Sequence, residues 1–227
     1  MDNVRDLGGL RTTDGRPTKP GAVVRSDHPS KLTAAGWQAL VDYGIRTIVM
    51  LTTAGVDPAE VDYGLGPPAD VAVVRIDIED GTDPDFVSAM METGLWATPF
   101  AFADALRRWP ERCAAVVQAV AGARPGGVLV HCSRGCDRTG LAALLILQLV
   151  GVGPADIAAD YAVSAERLRT FDTDHATWLD ASLAERDTTI DVVIAETLVD
   201  VDVEATLLCA GLRVADLTAL RERLVGP

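Results

Sequence analysis

The stretch HCSRGCDRTG at residues 131–140 constrains this chain more than any other. It is preceded by GGVLV (126–130), a short apolar segment bounded by glycine that reads as a buried central strand. It is followed by TGLAALLILQLVG (139–151), which is too long for a strand and apolar on nearly every face, and so reads as a buried helix. Strand, tight polar loop and helix N-terminus in that order gather backbone N–H groups and the positive end of a helix dipole around one thiol, Cys132. Five residues separate that cysteine from Arg138.

Chemistry follows from the spacing. Cys132 is the candidate nucleophile, because a helix N-terminus with an arginine nearby favours thiolate over thiol. The main-chain amides of Ser133, Arg134, Gly135, Cys136, Asp137 and Arg138 can converge on the oxygens of a phosphoryl group. Gly135 allows the tight turn without a Cβ clash. Arg138 offers a planar fork to two phosphate oxygens and can stabilise a phosphoryl group in flight. The Thr139 hydroxyl is placed to hydrogen-bond the thiolate and later to help it leave. The implied reaction is double displacement through a covalent intermediate on Cys132, without a metal or cofactor. A metal site on His131, Cys132 and Cys136 lacks a second ligand pair elsewhere in the chain.

With these residues in view, the chain resembles the bacterial tyrosine and dual-specificity phosphatases, whose loop reads HC-x-x-G-K/R-D-R-T-G. The likeness runs nearly end to end, through NVRDLGGLRTTDGR (3–16), GAVVRSDHPSKLTAAGWQAL (21–40), DIAADYAVS (156–164) and VDVEATLLCAGL (201–212). It implies Cys132 as nucleophile and Arg138 as the phosphate-binding arginine. A general acid is also needed for the leaving oxygen. Asp137 stands at the aspartate of the family's G-K-D-R, and Asp80 ends VAVVRIDIED near the family's aspartate after that strand. Asp77, Glu79, Asp83 and Asp85 crowd around Asp80, so a solvated loop carboxylate is an equal reading of it.

Two departures from the family pattern stand out. Cys136 replaces a usual Lys or Arg, removing a cation that would help to bind further phosphates, and Met50 and Thr52 replace the charged residues of a D-L-R segment. The expected function is a protein-tyrosine or dual-specificity phosphatase. A phosphatase of a small nucleotide-like or sugar-like metabolite is the alternative, followed by an inactive phosphate-binding module. A second thiol so near Cys132 also raises a reversible Cys132–Cys136 disulfide, although a small filler at position 136 is the simpler reading.

Composition narrows the partners. At 227 residues and 48% hydrophobic content the chain can fill one sizeable core, so a single domain over 1–227 is expected. Four cysteines without paired spacing argue against a disulfide framework. No secretory n-region or h-region opens the sequence, so a cytoplasmic location is expected. The longest apolar run, 141–152, is interrupted by Gln148 and too short to span a bilayer. A net charge of −13 disfavours nucleic acid and stable membrane association, leaving a phosphorylated protein or a small phosphomonoester as partner.

The remaining pattern predicts an α/β fold, a mostly parallel sheet flanked by helices with a helical C-terminal region. A hairpin is expected around Asp14-Gly15, and a helix from an N-cap at Thr33 to Tyr43, stopped by Gly44. IRTIVML and VAVVRI read as buried strands joined by an irregular connection, and 99–121 as a helical segment broken at Pro110. Helices are expected at 154–169 and 172–183, then shorter ones to Leu224. The region at about 154–200 is a candidate lid, with Phe171, His175 and Trp178 as its candidate wall, although burial of Trp178 and Leu179 on an amphipathic face explains it more simply. His131 is read as a structural hydrogen-bonding residue facing away from the phosphate. His28 carries no signal of its own.

Overall fold

Alternation along the strands sorts their side chains onto two faces of one sheet. In the computed structural model, which describes residues 1–58 and 62–226, that sheet has the order β1-β2-β5-β3-β4. β1 (Arg5–Asp6) runs antiparallel to β2 (Val23–Ser26), whereas β2, β5 (Gly127–His131), β3 (Ile45–Ala54) and β4 (Ala72–Asp80) are parallel. Val23, Val49, Leu51, Val128 and Val130 face a large core, while Val24, Ile45, Ile48 and Leu129 face a small one. The small core is closed by Trp37 of α1 (Ala34–Asp42).

The other face carries the remaining helices: α2 (Pro84–Thr93), α3 (Phe102–Arg108), α4 (Pro110–Ala121), α5 (Asp137–Leu149), α6 (Pro154–Phe171), α7 (Thr173–Glu185), α8 (Ile190–Asp200), α9 (Val203–Cys209) and α10 (Val214–Leu224). One continuous hydrophobic cluster extends from Leu7 to Leu224. β5 lies between β2 and β3, so the loop that follows it opens at the carboxyl edge of the sheet, where chain order reverses and ligands of open α/β sheets bind.

The α/β arrangement agrees with the pattern read from the sequence, and so do several details. Thr33 Oγ1 accepts from the Gly36 N–H at 3.2 Å, and Pro110 separates α3 from α4. No helix among the described residues is long and apolar enough to cross a membrane.

Other details differ. The helix after the 131–140 loop begins at Asp137 rather than Thr139, because the loop closes directly into the first turn. The Asp14-Gly15 turn is present, with the Thr12 N–H donating to the Arg16 carbonyl at 2.9 Å. It closes an Arg11–Pro17 bridge, in which Pro17 is tolerated because the flanking bonds come from the Thr12 and Thr18 N–H groups, to the Arg16 and Leu10 carbonyls. Helix α2 was not among the expected elements; Asp83 caps it by accepting from the Asp85 and Phe86 amides. Residues 59–61 of the irregular connection lie outside the described residues.

Arg25 occupies an otherwise apolar strand and is 1% exposed. It is ion-paired there with Asp160 of α6. Arg5 adds a second pair, Nε to Asp160 Oδ1 at 2.7 Å, and donates to the Asp160 carbonyl at 2.6 Å and Ser164 Oγ at 2.8 Å. Burial alone would raise the Asp160 carboxyl, but Arg25 and Arg5 outweigh it and hold it below the usual range. Burial and the neighbouring Arg25 lower Arg5 to about 10, which leaves it charged at neutral pH.

Removing Asp160 strands two buried guanidinium groups. Asp160→Ala should therefore destabilise the fold by about 3–5 kcal/mol, read as a lower urea midpoint. Because the folded carboxyl lies below its unfolded value, its contribution is present above about pH 4 and is lost on further acidification. The variant should show a shallower acid limb in a stability-versus-pH series.

Candidate active site

The loop after β5 is shaped by what holds its carbonyls. The His28 N–H donates to the Ser133 carbonyl at 3.0 Å. Asn3 Nδ2 donates to the Arg134 carbonyl at 3.1 Å and the Gly135 carbonyl at 3.0 Å. Arg25 Nη2 donates to the Gly135 carbonyl at 2.8 Å and the Cys136 carbonyl at 3.3 Å. Four successive carbonyls are thus turned outward. In a trans peptide the N–H points opposite to the C=O, so the amides of Arg134, Gly135, Cys136 and Asp137 turn inward. The Gly135 N–H reaches Cys132 Sγ at 3.3 Å, as this geometry requires.

Gly135 has φ +70°, and a Cβ there would lie 2.4 Å from the Ser26 carbonyl carbon. No other residue fits both the turn and the contact. Asn3 is itself fixed, because its N–H donates to Asp27 Oδ1 at 2.8 Å and its Oδ1 accepts from Arg5 Nη1 at 2.7 Å. The charge cluster of the fold and the support of the loop are therefore one hydrogen-bonded unit.

A cavity of about 210 Å³ opens over this loop, lined by Thr53, Val56, Asp57, Glu79, Trp96, Ala97, Cys132, Ser133, Arg134, Asp137 and Arg138. Cys132 is 4% exposed and stands at the N-terminal end of α5. Burial disfavours the charge on Arg138, but Cys132, Asp57 and Glu79 outweigh it and raise the guanidinium above its usual value. Arg138 Nη1 is ion-paired with Asp57, whose Oδ2 also accepts from the Thr53 N–H at 2.7 Å. Arg134 is held away from the loop centre by Asp172, the N-cap of α7.

The candidate residues read from the sequence separate here. Cys132, Ser133, Arg134, Asp137 and Arg138 are brought together at the cavity. Cys136 is not at its wall. It is fully buried, with its thiol 3.4 Å from the Tyr161 hydroxyl, and burial pushes it well above its usual range. Tyr161 approaches α5 closely because position 140 is glycine; a Cβ there would meet its ring at 2.7 Å. The Tyr161 hydroxyl donates to Asp137 Oδ1 at 3.0 Å, and His175 Nε2 lies 3.5 Å from Asp137 Oδ2. Thr139 is buried, and its hydroxyl makes no hydrogen bond to Cys132.

Asp80 lies outside the cavity. It pairs with Arg112 at 2.7 Å, and hydrogen bonds from Thr82 hold its carboxyl below the usual range. Its neighbour Glu79 faces the cavity instead. The reason is a bulge in the β3–β4 register: Asp77 pairs with Thr52 and Glu79 with Thr53, leaving Ile78 between them without a partner. Such a bulge re-aims the following side chain, and simple alternation along VAVVRIDIED does not reveal it.

His131 behaves as a structural residue. Its Nδ1 lies 3.1 Å from the Cys132 carbonyl, so that nitrogen carries the hydrogen and Nε2 accepts from the Tyr63 hydroxyl at 2.9 Å. Burial lowers the ring to about 4. The candidate lid reaches the site through Tyr161, Asp172 and His175, while Phe171 and Trp178 are absent from the cavity lining. The aromatic wall is Trp96, set on the turn after α2 where Ala97 has φ 59°. Met50 and Thr52 line a neighbouring cavity with His28 and His131.

A family model described as the tyrosine phosphatase family matches residues 1–226. A tyrosine-protein phosphatase of Nostoc commune is 33% identical over 147 residues, covering 65% of this chain and 49% of the relative. The triple specificity protein phosphatase PtpB of Mycobacterium tuberculosis is 30% identical over 186 residues, covering 70% of this chain and 65% of the relative. The chain thus spans about half to two thirds of the length of these curated relatives. On the match across almost its full length, the chain belongs to the tyrosine phosphatase family.

Proposed function

We propose that this protein is a metal-independent phosphomonoester hydrolase that acts through a phosphocysteine at Cys132, with a phosphotyrosine side chain of a protein as its substrate. The observation that carries the reading is the inward-turned set of amides around Cys132 Sγ, with Arg138 in the same cavity. Four N–H groups and a guanidinium suit a phosphate dianion. Thiolate attack on phosphorus forms the S–P bond as the ester P–O bond breaks, and water then cleaves the phosphocysteine. Arg138 donates from Nη1 to Asp57 and to the Leu51 carbonyl, which leaves the three N–H donors of Nε and Nη2, enough for two phosphate oxygens.

Trp96 and Val56 give the cavity apolar walls on which a flat aryl group can lie. A phosphoprotein substrate is also in keeping with the relatives, which are named as protein phosphatases. Four free cysteines, Cys209 among them exposed, suit the reducing cytoplasm. Position 136, where the family pattern carries a Lys or Arg, holds a cysteine that faces Tyr161 and offers nothing to a multiply phosphorylated ligand.

Cys132→Ser should abolish turnover of 4-nitrophenyl phosphate while retaining vanadate binding, measured by steady-state rates and calorimetry. Retained turnover would reject the covalent route. Arg138→Lys keeps the charge but loses the fork, and should lower kcat/KM by about 10²–10³-fold, the loss typical of removing one oxyanion donor. Chelators should leave the wild-type rate unchanged.

A further inference from the structure

Among the described residues three carboxylates reach the cavity, and their hydrogen bonding divides them. Asp57 Oδ2 is committed to Arg138 and the Thr53 N–H. Asp137 accepts from the Tyr161 hydroxyl and has His175 at its other oxygen. It also belongs to the first turn of α5, on the same element as the phosphate cradle. Among the described residues Glu79 accepts a single hydrogen bond, from Thr53 Oγ1 to Oε2 at 2.9 Å. It is 7% exposed and enters from β4, separated from the loop strand β5 by β3.

In-line displacement places the leaving oxygen opposite the attacking sulfur, so its proton donor has to come from outside the cradle. We propose that Glu79 is the general acid that protonates the leaving oxygen, and the general base of the second step. This rests on the phosphocysteine reading above.

In the first step the Cys132 thiolate forms the S–P bond and the ester P–O bond breaks. The Glu79 proton passes to the leaving oxygen, which departs as an alcohol or phenol, and Glu79 becomes a carboxylate. In the second step Glu79 takes a proton from water as its oxygen attacks phosphorus. The S–P bond breaks, the thiolate is restored and phosphate is released.

The surroundings favour the protonated form that the first step requires. Burial pushes the Glu79 carboxyl above the usual range. Arg138 and the Thr53 hydroxyl oppose this, while Asp137 and Asp57 add to it. Cys113 of α4 faces Glu79 as well, and its thiol is pushed up by burial and by that carboxylate. An arriving phosphate dianion adds negative charge and acts in the same direction. Activity should therefore decline as pH rises through the Glu79 titration, at a pH above the usual glutamate range.

The test is kcat/KM across pH for 4-nitrophenyl phosphate, a good leaving group, and phenyl phosphate, a poor one. Glu79→Gln should cost about 10²–10⁴-fold with phenyl phosphate, the usual contribution of a general acid, and far less with the nitrophenyl ester. It should also remove the decline at high pH. Equal losses on both esters, or an unchanged decline, would overturn the assignment, as would Asp137→Asn producing the leaving-group pattern instead. Vanadate binding by Glu79→Gln shows that the cavity survives.

Thr53→Val provides an independent check. It removes a hydrogen bond that favours the ionised carboxyl, so the decline should move to higher pH, and an unmoved decline counts against Glu79. If the wild type hydrolyses neither ester, or if Cys132→Ser retains turnover, the phosphatase reading itself falls together with this one. An active wild type, a dead Cys132→Ser and an unimpaired Glu79→Gln would overturn only the role of Glu79.

Discussion

Everything at the site depends on the outward anchoring of the loop carbonyls by Asn3 and Arg25. A five-residue loop has no ladder of its own to fix its peptide planes. If the carbonyls turned inward, the same residues would present partial negative charge to a phosphate. Arg25 can do this work only because Asp160 balances its buried charge, and Arg5, paired with the same carboxylate, helps to bind α6 to the edge of the sheet. A buried ion pair of this kind adds little net stability compared with an apolar replacement. Its use here is to orient dipoles, and the hydrogen bonds show it: one guanidinium touches both Asp160 and the loop.

The charge balance of the cavity is unusual for an anion site. Among the described residues three carboxylates line it against two arginines, and both arginines are already paired, Arg138 with Asp57 and Arg134 with Asp172. On the proposed function, attraction for phosphate rests on fixed dipoles more than on net charge, in keeping with a chain of net charge −13. Fixed dipoles act within a few ångströms and need little reorganisation, so they reward a single phosphate seated on the loop over diffuse polyanions. Burial raises the Glu79 carboxyl above the usual range, and the neighbouring Asp137 and Asp57 add to this, whereas a more basic cavity would oppose it.

Much of this was legible in residues 126–151. The apolar strand, the Gly-containing loop and the apolar helix are each local patterns, and local patterns are what periodicity and turn chemistry report. The role of His131 was equally legible, because a residue preceding the loop on a strand points away from the one that follows. Asn3, Arg25 and Asp160 were not legible in that way. They lie more than a hundred residues from the loop or its partners, and only pairing of β2 with β5 and packing of α6 bring them together. Asp80 and Glu79 show a subtler limit: strand alternation is readable, but a bulge changes its parity, and bulges have no signal in a single strand.

The sequence alone brought together a thiol, an arginine six positions beyond it and a helix N-terminus, because the chain itself ties them to one loop. Tertiary structure alone decided that Glu79 and not Asp80 lines the cavity, which way the loop amides point, and that Cys136 is core and not cavity wall. Those outcomes depend on contacts between segments distant in sequence, and on a one-residue shift in register, whose energies no local pattern encodes.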